Sequence, residues 1–267
     1  MGSCWTCPAT GGLLEEAVRL AGLFLGKGGI VATKDNSEQV TILANGSAAS
    51  GTEGDKRKVI TFPTEDSSAL YTGPLVILTS RLSASASEIV TGALKDYHRA
   101  VIVGSDHTFG NGSVQALTPL PLDLGGMTVT TALYFLPGGN STQKMGVKAN
   151  VRLPIWFILE DVGETELDYP LPAQAIKPFL GVTGNAAPLW KPMEQPLLAK
   201  LAARSNARVA KDAKFAEIIK NNKEAAGKKG IIRLVDLRKE MEKEGGGKKK
   251  ETPTELKQKA SDRMLPL

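Results

Sequence analysis

The sequence predicts an α/β fold, with a mixed sheet, flanking helices and a helical region at the C-terminal end. Two compact apolar runs, residues 74–78 and 100–104, have the length of buried strands, and a stretch with helical spacing separates them. A strand, a helix and a second strand in this order are typical of a crossover between parallel strands. Because 42% of the 267 residues are hydrophobic, the chain can also bury a core.

The remaining elements of the α/β region follow from the same patterns. Apolar residues recur at helical spacing over residues 13–24, directly after the pair Gly11 and Gly12, and predict an amphipathic helix. Residues 35–68 are polar and rich in Asn, Ser and Gly, which predicts turns around short strands. Residues 127–136 alternate β-branched and apolar side chains and predict a further strand.

The texture of the sequence changes after about residue 181. Pro188, Pro192 and Pro196 predict a linker, and helical patterns follow over residues 197–223 and 231–244. The run GGGKKK near the end predicts a flexible segment. We therefore divide the chain into an atypical N-terminal segment at 1–10, a core at 11–180 and a Lys-rich helical C-terminal region at 181–267.

Charge divides the chain in a similar way. From residue 191 onward there are 20 Lys and Arg against 11 Asp and Glu, a net charge of +9, while the preceding part carries −4. A basic tail could bind nucleic acid or a membrane surface, but a solvated helical region is the simpler interpretation. Aromatic residues make up only 5%, so we expect no nucleic-acid partner. We also expect no membrane span, since no stretch approaches about 20 apolar residues, and we see no signal peptide.

Cys4 and Cys7 form a C-x-x-C pair at the N-terminal end. Such a pair occurs in redox motifs and in halves of zinc sites. The sequence contains no second cysteine pair, and His98 and His107 lack the spacing of zinc ligands to the first. We therefore expect neither a metal site nor redox chemistry.

A run of small residues, SASASE, lies where the strand at 74–78 is followed by a helix. At this position Ser85 would lie beside backbone N–H groups at the start of a helix, where the helix dipole favours developing negative charge. The N–H of Ala86 could then stabilise an oxyanion, as in other strand-to-helix nucleophile turns. The alternative is structural, because Ser and Thr before a helix most often act as N-caps.

Long stretches resemble the tail-specific, or C-terminal processing, serine protease family. Residues 73–115 read GPLVILTSRLSASASEIVTGALKDYHRAVIVGSDHTFGNGSVQ, which is similar to the active-site segment of that family. Residues 138–147, GGNSTQKMGV, resemble its later G-G-x-S-T-Q-x-x-G-V block, and residues 197–215 resemble the helical tail of the periplasmic branch. The resemblance covers most of residues 11–245 and implies the core that the family shares with crotonase-like proteins.

The resemblance implies roles for individual residues. Ser85, the second serine of SASAS, matches the nucleophile. Gly11 or Gly12 matches the glycine whose N–H completes the oxyanion site with Ala86. Asp96 matches an aspartate at the end of the same helix, with an orienting and electrostatic role, although a surface carboxylate is an equally good interpretation of it. The resemblance implies no cofactor and no metal.

The general base departs from the family pattern. The family keeps its catalytic lysine after Phe-Gly in T-F-G-K-G-x-V-Q, whereas this chain reads TFGNGSVQ and has Asn111 there. An amide cannot accept the serine proton at any useful pH. Lys95, Lys144 and Lys148 lie nearby in sequence but outside the motif. We therefore expect the Ser–Lys chemistry to be impaired.

The N-terminal end departs as well. The family precedes its glycine pair with a strand carrying D-L-R-x-N, but this chain reads MGSCWTCPAT, so we expect that strand and the upstream peptide-binding PDZ module to be missing. The resemblance implies a periplasmic endopeptidase whose substrates are proteins with apolar C-termini, and it leaves an adaptor protein open as a partner. Two alternatives are a catalytically dead peptide-binding or scaffold relative and a crotonase-type acyl-CoA enzyme, which the fold alone would permit.

Overall fold

A computed structural model describes residues 3–7, 11–46, 57–62, 68–121, 124–155, 162–180 and 190–227. The strands are β1 Ser3–Cys7, β2 Gly28–Asp35, β3 Val40–Asn45, β4 Lys58–Phe62, β5 Leu75–Thr79, β6 Val101–Gly104, β7 Ser113–Pro119, β8 Gly126–Phe135 and β9 Val151–Arg152. The helices are α1 Leu14–Leu25, α2 Ala86–Asp96, α3 Gln195–Val209 and α4 Ala213–Gly227, with a short 3-10 helix at Glu164–Glu166.

The predicted α/β class is confirmed, with the strands divided between two sheets. One sheet has four parallel strands in the order β1-β5-β6-β9, and the other has five strands in the order β4-β3-β2-β8-β7. The second sheet is mixed, because β3 and β4 are parallel while its other pairs are antiparallel. The predicted crossover is observed as β5-α2-β6, with Ile77 opposite Ile102.

Strand β1 corrects one expectation about the N-terminal segment. We expected the sheet to lack the strand that precedes the glycine pair, but Ser3–Cys7 pairs in parallel with β5 along its whole length. An extended segment needs only backbone groups to complete a sheet edge, so its unusual sequence does not prevent pairing. Cys7 thus ends a strand and does not open a helix, as a thioredoxin-like motif would require.

Helices α1 and α2 pack against each other and share one core with strands of both sheets. Ala17, Val18, Ala21, Phe24 and Leu25 form the buried face of α1, as the helical spacing predicts. This face meets buried residues of α2 and of strands β2, β3, β5, β6 and β8. The core therefore fixes the start of α2 relative to both sheets.

Glycine at position 92 lets α2 approach the end of β8. A Cβ atom there would lie 2.4 Å from Cδ1 of Leu136, which is closer than side chains can pack. The lack of a side chain thus sets the distance between α2 and the segment that follows β8.

The C-terminal helical pattern is divided into two helices. The expected single helix over residues 197–223 is interrupted because Asp212 Oδ1 accepts hydrogen bonds from the N–H groups of Lys214, at 2.8 Å, and Phe215, at 3.3 Å, and so caps a new helix. Pro196, expected in a linker, lies in the first turn of α3, where its missing N–H costs no helical bond.

The chain divides into two compact units, Met1–Asn222 and Lys223–Leu267. Helix α3 belongs to the first unit and packs through Leu198 against Val101 and Val151. The boundary after residue 180 stays a prediction, and the expected helix at 231–244 and the GGGKKK run lie outside the described residues. Every helix in the described part of the chain is too short or too polar to cross a lipid bilayer.

Candidate active site

Ser85 lies at the junction of a tight turn and helix α2. The turn after β5 closes through the Ser83 N–H, which donates to the carbonyl of Ser80 at 3.0 Å. Ser85 itself is half-buried and has φ 54° and ψ −117°, a region that residues other than glycine rarely adopt. An ordinary N-cap residue is extended, so this backbone is typical of a strained functional turn and costs on the order of 1–3 kcal/mol. The predicted position at the helix start is observed, while the role of nucleophile stays a prediction.

Two N–H groups beside Ser85 have the placement of an oxyanion site. The Gly11 N–H donates to the carbonyl of Ala84 at 3.2 Å and is therefore committed to the turn. Within the described residues, the N–H groups of Gly12 and Ala86 donate no hydrogen bond. A Cβ atom on Gly12 would lie 3.1 Å from that of Ala86, so the two backbones lie next to each other. Of the two glycines that the sequence left open, the geometry favours Gly12.

Glu88 joins the turn of Ser85 to the segment around Asn111. Its Oε2 accepts the N–H groups of Ser85, at 3.0 Å, and Asn111, at 2.9 Å. Its Oε1 accepts the N–H of Gly110 at 2.8 Å and the hydroxyl of Thr108. The side chain is fully buried. Sequence reasoning missed this residue, although its position three residues after Ser85 matches the spacing of a capping box.

Asn111 lies next to Ser85 through shared partners. Besides the Glu88 carboxylate, the hydroxyl of Tyr134 contacts both backbone carbonyls, that of Ser85 at 3.3 Å and that of Asn111. The Asn111 side chain is half-buried and forms no hydrogen bond with any described residue. Position 111 is therefore adjacent to the candidate nucleophile and holds an amide where an amine could act.

The two motif blocks of the sequence interlock around this position. Thr142 Oγ1 donates to the carbonyl of Asn111 at 2.8 Å, and Gln143 Oε1 accepts the N–H of Gly112 at 2.8 Å. Gln143 is fully buried and also donates through Nε2 to Glu164 Oε1 at 2.9 Å. A Cβ atom at position 112 would lie 2.6 Å from the Gln143 nitrogen, so only glycine fits there. The GGNSTQ block thus holds the loop that carries Asn111.

Asp96 lies at the end of α2 opposite Ser85. It ends α2, eleven residues after Ser85, which corresponds to about 16 Å along the helix axis. Its Oδ2 accepts the Gly138 N–H at 2.8 Å, and burial raises the pKa of its carboxyl. Its observed contact positions the segment after β8, and its orienting and electrostatic role stays a prediction. The contacts made by Glu88 fit the orienting role.

Lys95, Lys144 and Lys148, the lysines near the motif in sequence, differ in where they lie relative to Ser85. Lys95, also at the far end of α2, donates through Nζ to the carbonyl of Lys148 at 2.7 Å, and burial lowers its pKa. The Lys144 N–H donates to the carbonyl of Gly110 at 2.8 Å, which brings the backbone of Lys144 near the site. Since Lys95 and the Lys148 carbonyl that it contacts lie at the end of α2 opposite Ser85, this pair offers no base for the serine.

The burial of Glu88 predicts how the stability of the protein depends on pH. Burial raises the pKa of this carboxyl from 4.5 to about 7 and outweighs its hydrogen bonds, which favour the ionised form. The native state thus binds the proton more tightly than the unfolded state. The resulting stabilisation is present below pH 4.5 and is lost as the pH rises through 7, an effect of about 3 kcal/mol.

Urea unfolding at pH 4.5 and pH 8 measures this effect. Because other carboxyls also titrate, the relevant quantity is the difference in free energy of unfolding between the wild type and Glu88→Gln, which cannot ionise. Between pH 4.5 and pH 8, we expect the free energy of unfolding of the wild type to fall by about 3 kcal/mol relative to that of Glu88→Gln. An unchanged difference would show that Glu88 does not titrate in this range.

Comparison with known proteins agrees with this geometry. A family model for peptidase family S41 matches residues 8–153, which include Gly12, Ser85, Glu88 and Asn111. The chain belongs to peptidase family S41. The resemblance that the sequence motifs predicted is thereby confirmed, and the family match gives no support to a crotonase-type acyl-CoA enzyme.

Several similar proteins are named as carboxy-terminal-processing or tail-specific proteases. This S41 chain is 36% identical over 163 residues to a carboxy-terminal-processing protease of Bartonella bacilliformis, covering 59% of the chain and 33% of the relative. It is 33% identical over 168 residues to a tail-specific protease of Haemophilus influenzae, covering 60% and 21%. A solved photosystem II D1 C-terminal processing protease aligns with a TM-score of 0.43 at 32% identity, covering 57% and 34%. The chain thus spans about a third or less of the length of these relatives.

The described residues contain no group of three or more His, Cys, Asp or Glu side chains that could hold a metal ion.

Proposed function

We propose that the chain is a serine endopeptidase of the tail-specific type in which Ser85 is the nucleophile. The Ser85 oxygen attacks the carbonyl carbon of a peptide bond, and the N–H groups of Ala86 and Gly12 stabilise the resulting oxyanion. The observation that carries the proposal is the strained backbone of Ser85 beside two N–H groups that donate to no described residue. Glu88 holds the Ser85 turn and the loop of position 111 together.

Proton transfer is the step in which this chain is impaired. When the serine oxygen forms its bond to carbon, its proton must pass to a base. In the family pattern that base is a lysine at the position of Asn111, and an amide has no basic lone pair to take its place. We therefore propose that binding and geometry are retained while turnover is slow.

Substrate and location complete the proposal. The family resemblance favours protein substrates with apolar C-termini, a periplasmic location and an adaptor protein that delivers substrates. These assignments rest on the relatives' names and motifs, whereas the contacts around Ser85 support only the peptidase chemistry.

A second function is favoured by one observation. The amide at position 111, adjacent to Ser85, suits a catalytically dead relative that still binds peptides or acts as a scaffold. The two functions differ in whether Ser85 is reactive, since both retain the same fold and the same binding surface.

A fluorophosphonate probe separates the two functions. We expect slow labelling of the wild type, because the serine lacks a base but keeps its oxyanion donors, and we expect Ser85→Ala to abolish it. Ser87→Ala is the matched control, since it removes the next serine of the same motif and should label like the wild type. Labelling should accompany slow digestion of casein.

The opposite results contradict the endopeptidase assignment. A wild-type protein that neither reacts with the probe nor digests casein after long incubation would favour the binding or scaffold function. Labelling that persists in Ser85→Ala would place the reactive nucleophile elsewhere in the chain.

A further inference from the structure

Strands β7 and β8 form a hairpin, here called the outer hairpin (residues 113–121 and 124–130), that exposes apolar side chains. Leu117 is 71% exposed and Leu124 72% exposed, and Leu120, Met127 and Val129 are exposed as well. Between Asn111 and Gln143 the sequence has a single charged residue, Asp123, although 23% of the whole chain is charged. An exposed apolar segment with so little charge indicates a binding surface.

The apolar side chains lie on both faces of the outer hairpin. Leu117 pairs with Thr128, while Thr118 pairs with Met127 and Ala116 with Val129. Because paired residues share a face and neighbours alternate, Leu117 lies on one face and Met127 and Val129 on the other. A partner that covered one face would leave the other unused. A strand added at the edge instead projects its side chains alternately over both faces.

Strand β7 is the edge strand of its sheet. It pairs with β8 on one side, and no other described strand pairs with it. Its outer backbone groups are therefore available to an extended polypeptide. Pro119, which lacks an N–H, lies at the last position of the strand and so limits such pairing to the part nearer the site.

The first residue of strand β7 also lies close to the candidate active site. Strand β7 begins at Ser113, two residues after Asn111, whose N–H shares Oε2 of Glu88 with the Ser85 N–H. A polypeptide paired with the first residues of β7 would therefore lie near the turn of Ser85.

We propose that an uncharged, apolar segment of the substrate binds in extended form to the free edge of β7, with alternate side chains packed on Leu117 and on the opposite face of the outer hairpin. This inference rests on the proposed peptidase function and adds the surface that selects apolar polypeptides. The described residues of the outer hairpin carry no charged side chain, so backbone pairing and apolar contacts carry the proposed binding.

Binding of a fluorescein-labelled peptide of alternating valine and threonine, followed by fluorescence anisotropy, tests the proposal. We expect Leu117→Lys to raise the Kd about tenfold or more, because it places a charge on the docking surface. Ile60→Lys is the matched control: Ile60 is 38% exposed on β4, the opposite edge of the same sheet, and its replacement should leave the Kd unchanged. A peptide N-methylated at alternate residues should bind about tenfold more weakly, since it cannot pair with β7.

Ser85→Ala separates this inference from the peptidase proposal. It should bind the peptide like the wild type, so binding can hold even if no cleavage is found. The inference is overturned if the wild type does not bind the peptide, if the N-methylated peptide binds equally well, or if Leu117→Lys binds like the wild type while keeping the wild-type circular dichroism. It is also overturned if Leu117→Lys converts an oligomer to a monomer by light scattering, because the outer hairpin would then be an interface between copies of the chain.

Discussion

Asn111→Lys is expected to raise Ser85-dependent cleavage of an unfolded protein by several orders of magnitude. The loop around position 111 is already held in place by Glu88, Tyr134 and Thr142, so the substitution adds an amine to a formed site. Removal of a general base commonly costs a serine hydrolase about four to six orders of magnitude in rate. A half-buried lysine also has a lowered pKa, because desolvation disfavours its charge, and part of it is neutral near pH 7.

Two controls make this result specific. Asn111→Gln changes the length of the side chain but adds no base, so it should stay as slow as the wild type. Asn111→Lys combined with Ser85→Ala should be inactive. Because the chain spans only part of its relatives, the measurement is made both on the chain itself and on a fusion that adds the unmatched part of the Bartonella bacilliformis relative.

Two outcomes would contradict the assignment of position 111. Fast, Ser85-dependent cleavage by the wild type would mean that another group already serves as the base, and Lys144 would then be the first to test. No gain in either form of Asn111→Lys would mean that the missing amine is not what limits the reaction.

Glu88→Ala is expected to lower the free energy of unfolding by about 3–5 kcal/mol at pH 5. The substitution leaves the N–H groups of Ser85, Gly110 and Asn111 without their acceptor, in a place where the carboxyl is fully buried. Each buried donor left unsatisfied costs about 1–3 kcal/mol, partly recovered if water enters the cavity. Urea unfolding measures the change, and Glu88→Gln should fall between the wild type and Glu88→Ala.

The matched control is Glu15→Ala, which removes a helical glutamate of the same type from the solvent-exposed face of α1. Its partner is the exposed Arg19, and such pairs contribute little to stability. Equal stability of Glu88→Ala and Glu15→Ala would show that the buried carboxyl does not hold the two segments together.

The apolar and helical patterns of the sequence were enough to predict β5, α2, β6 and β8, and the motifs were enough to predict the family. They also placed Ser85 at the start of α2. These features depend on residues that are close in sequence, because side-chain period and helix-start signals act over a few positions.

The pairing of the strands into two sheets was decided only by the tertiary structure. So were the pairing of β1 with β5 and the bond of the Gly11 N–H to the Ala84 carbonyl. The strained φ of Ser85 also appears only there, because the surrounding turn has to hold it.

The same division applies to the two carboxylates of α2. Both lie on one helix in the sequence, and the family pattern drew attention to Asp96. Folding buries Glu88 among donors from residues 20 to 23 positions away, whereas the rise of the helix carries Asp96 to its other end. The sequence by itself determined which residues are present and which elements they form. Which carboxylate reaches the site was decided by long-range packing, because contacts between distant segments depend on how the whole core closes.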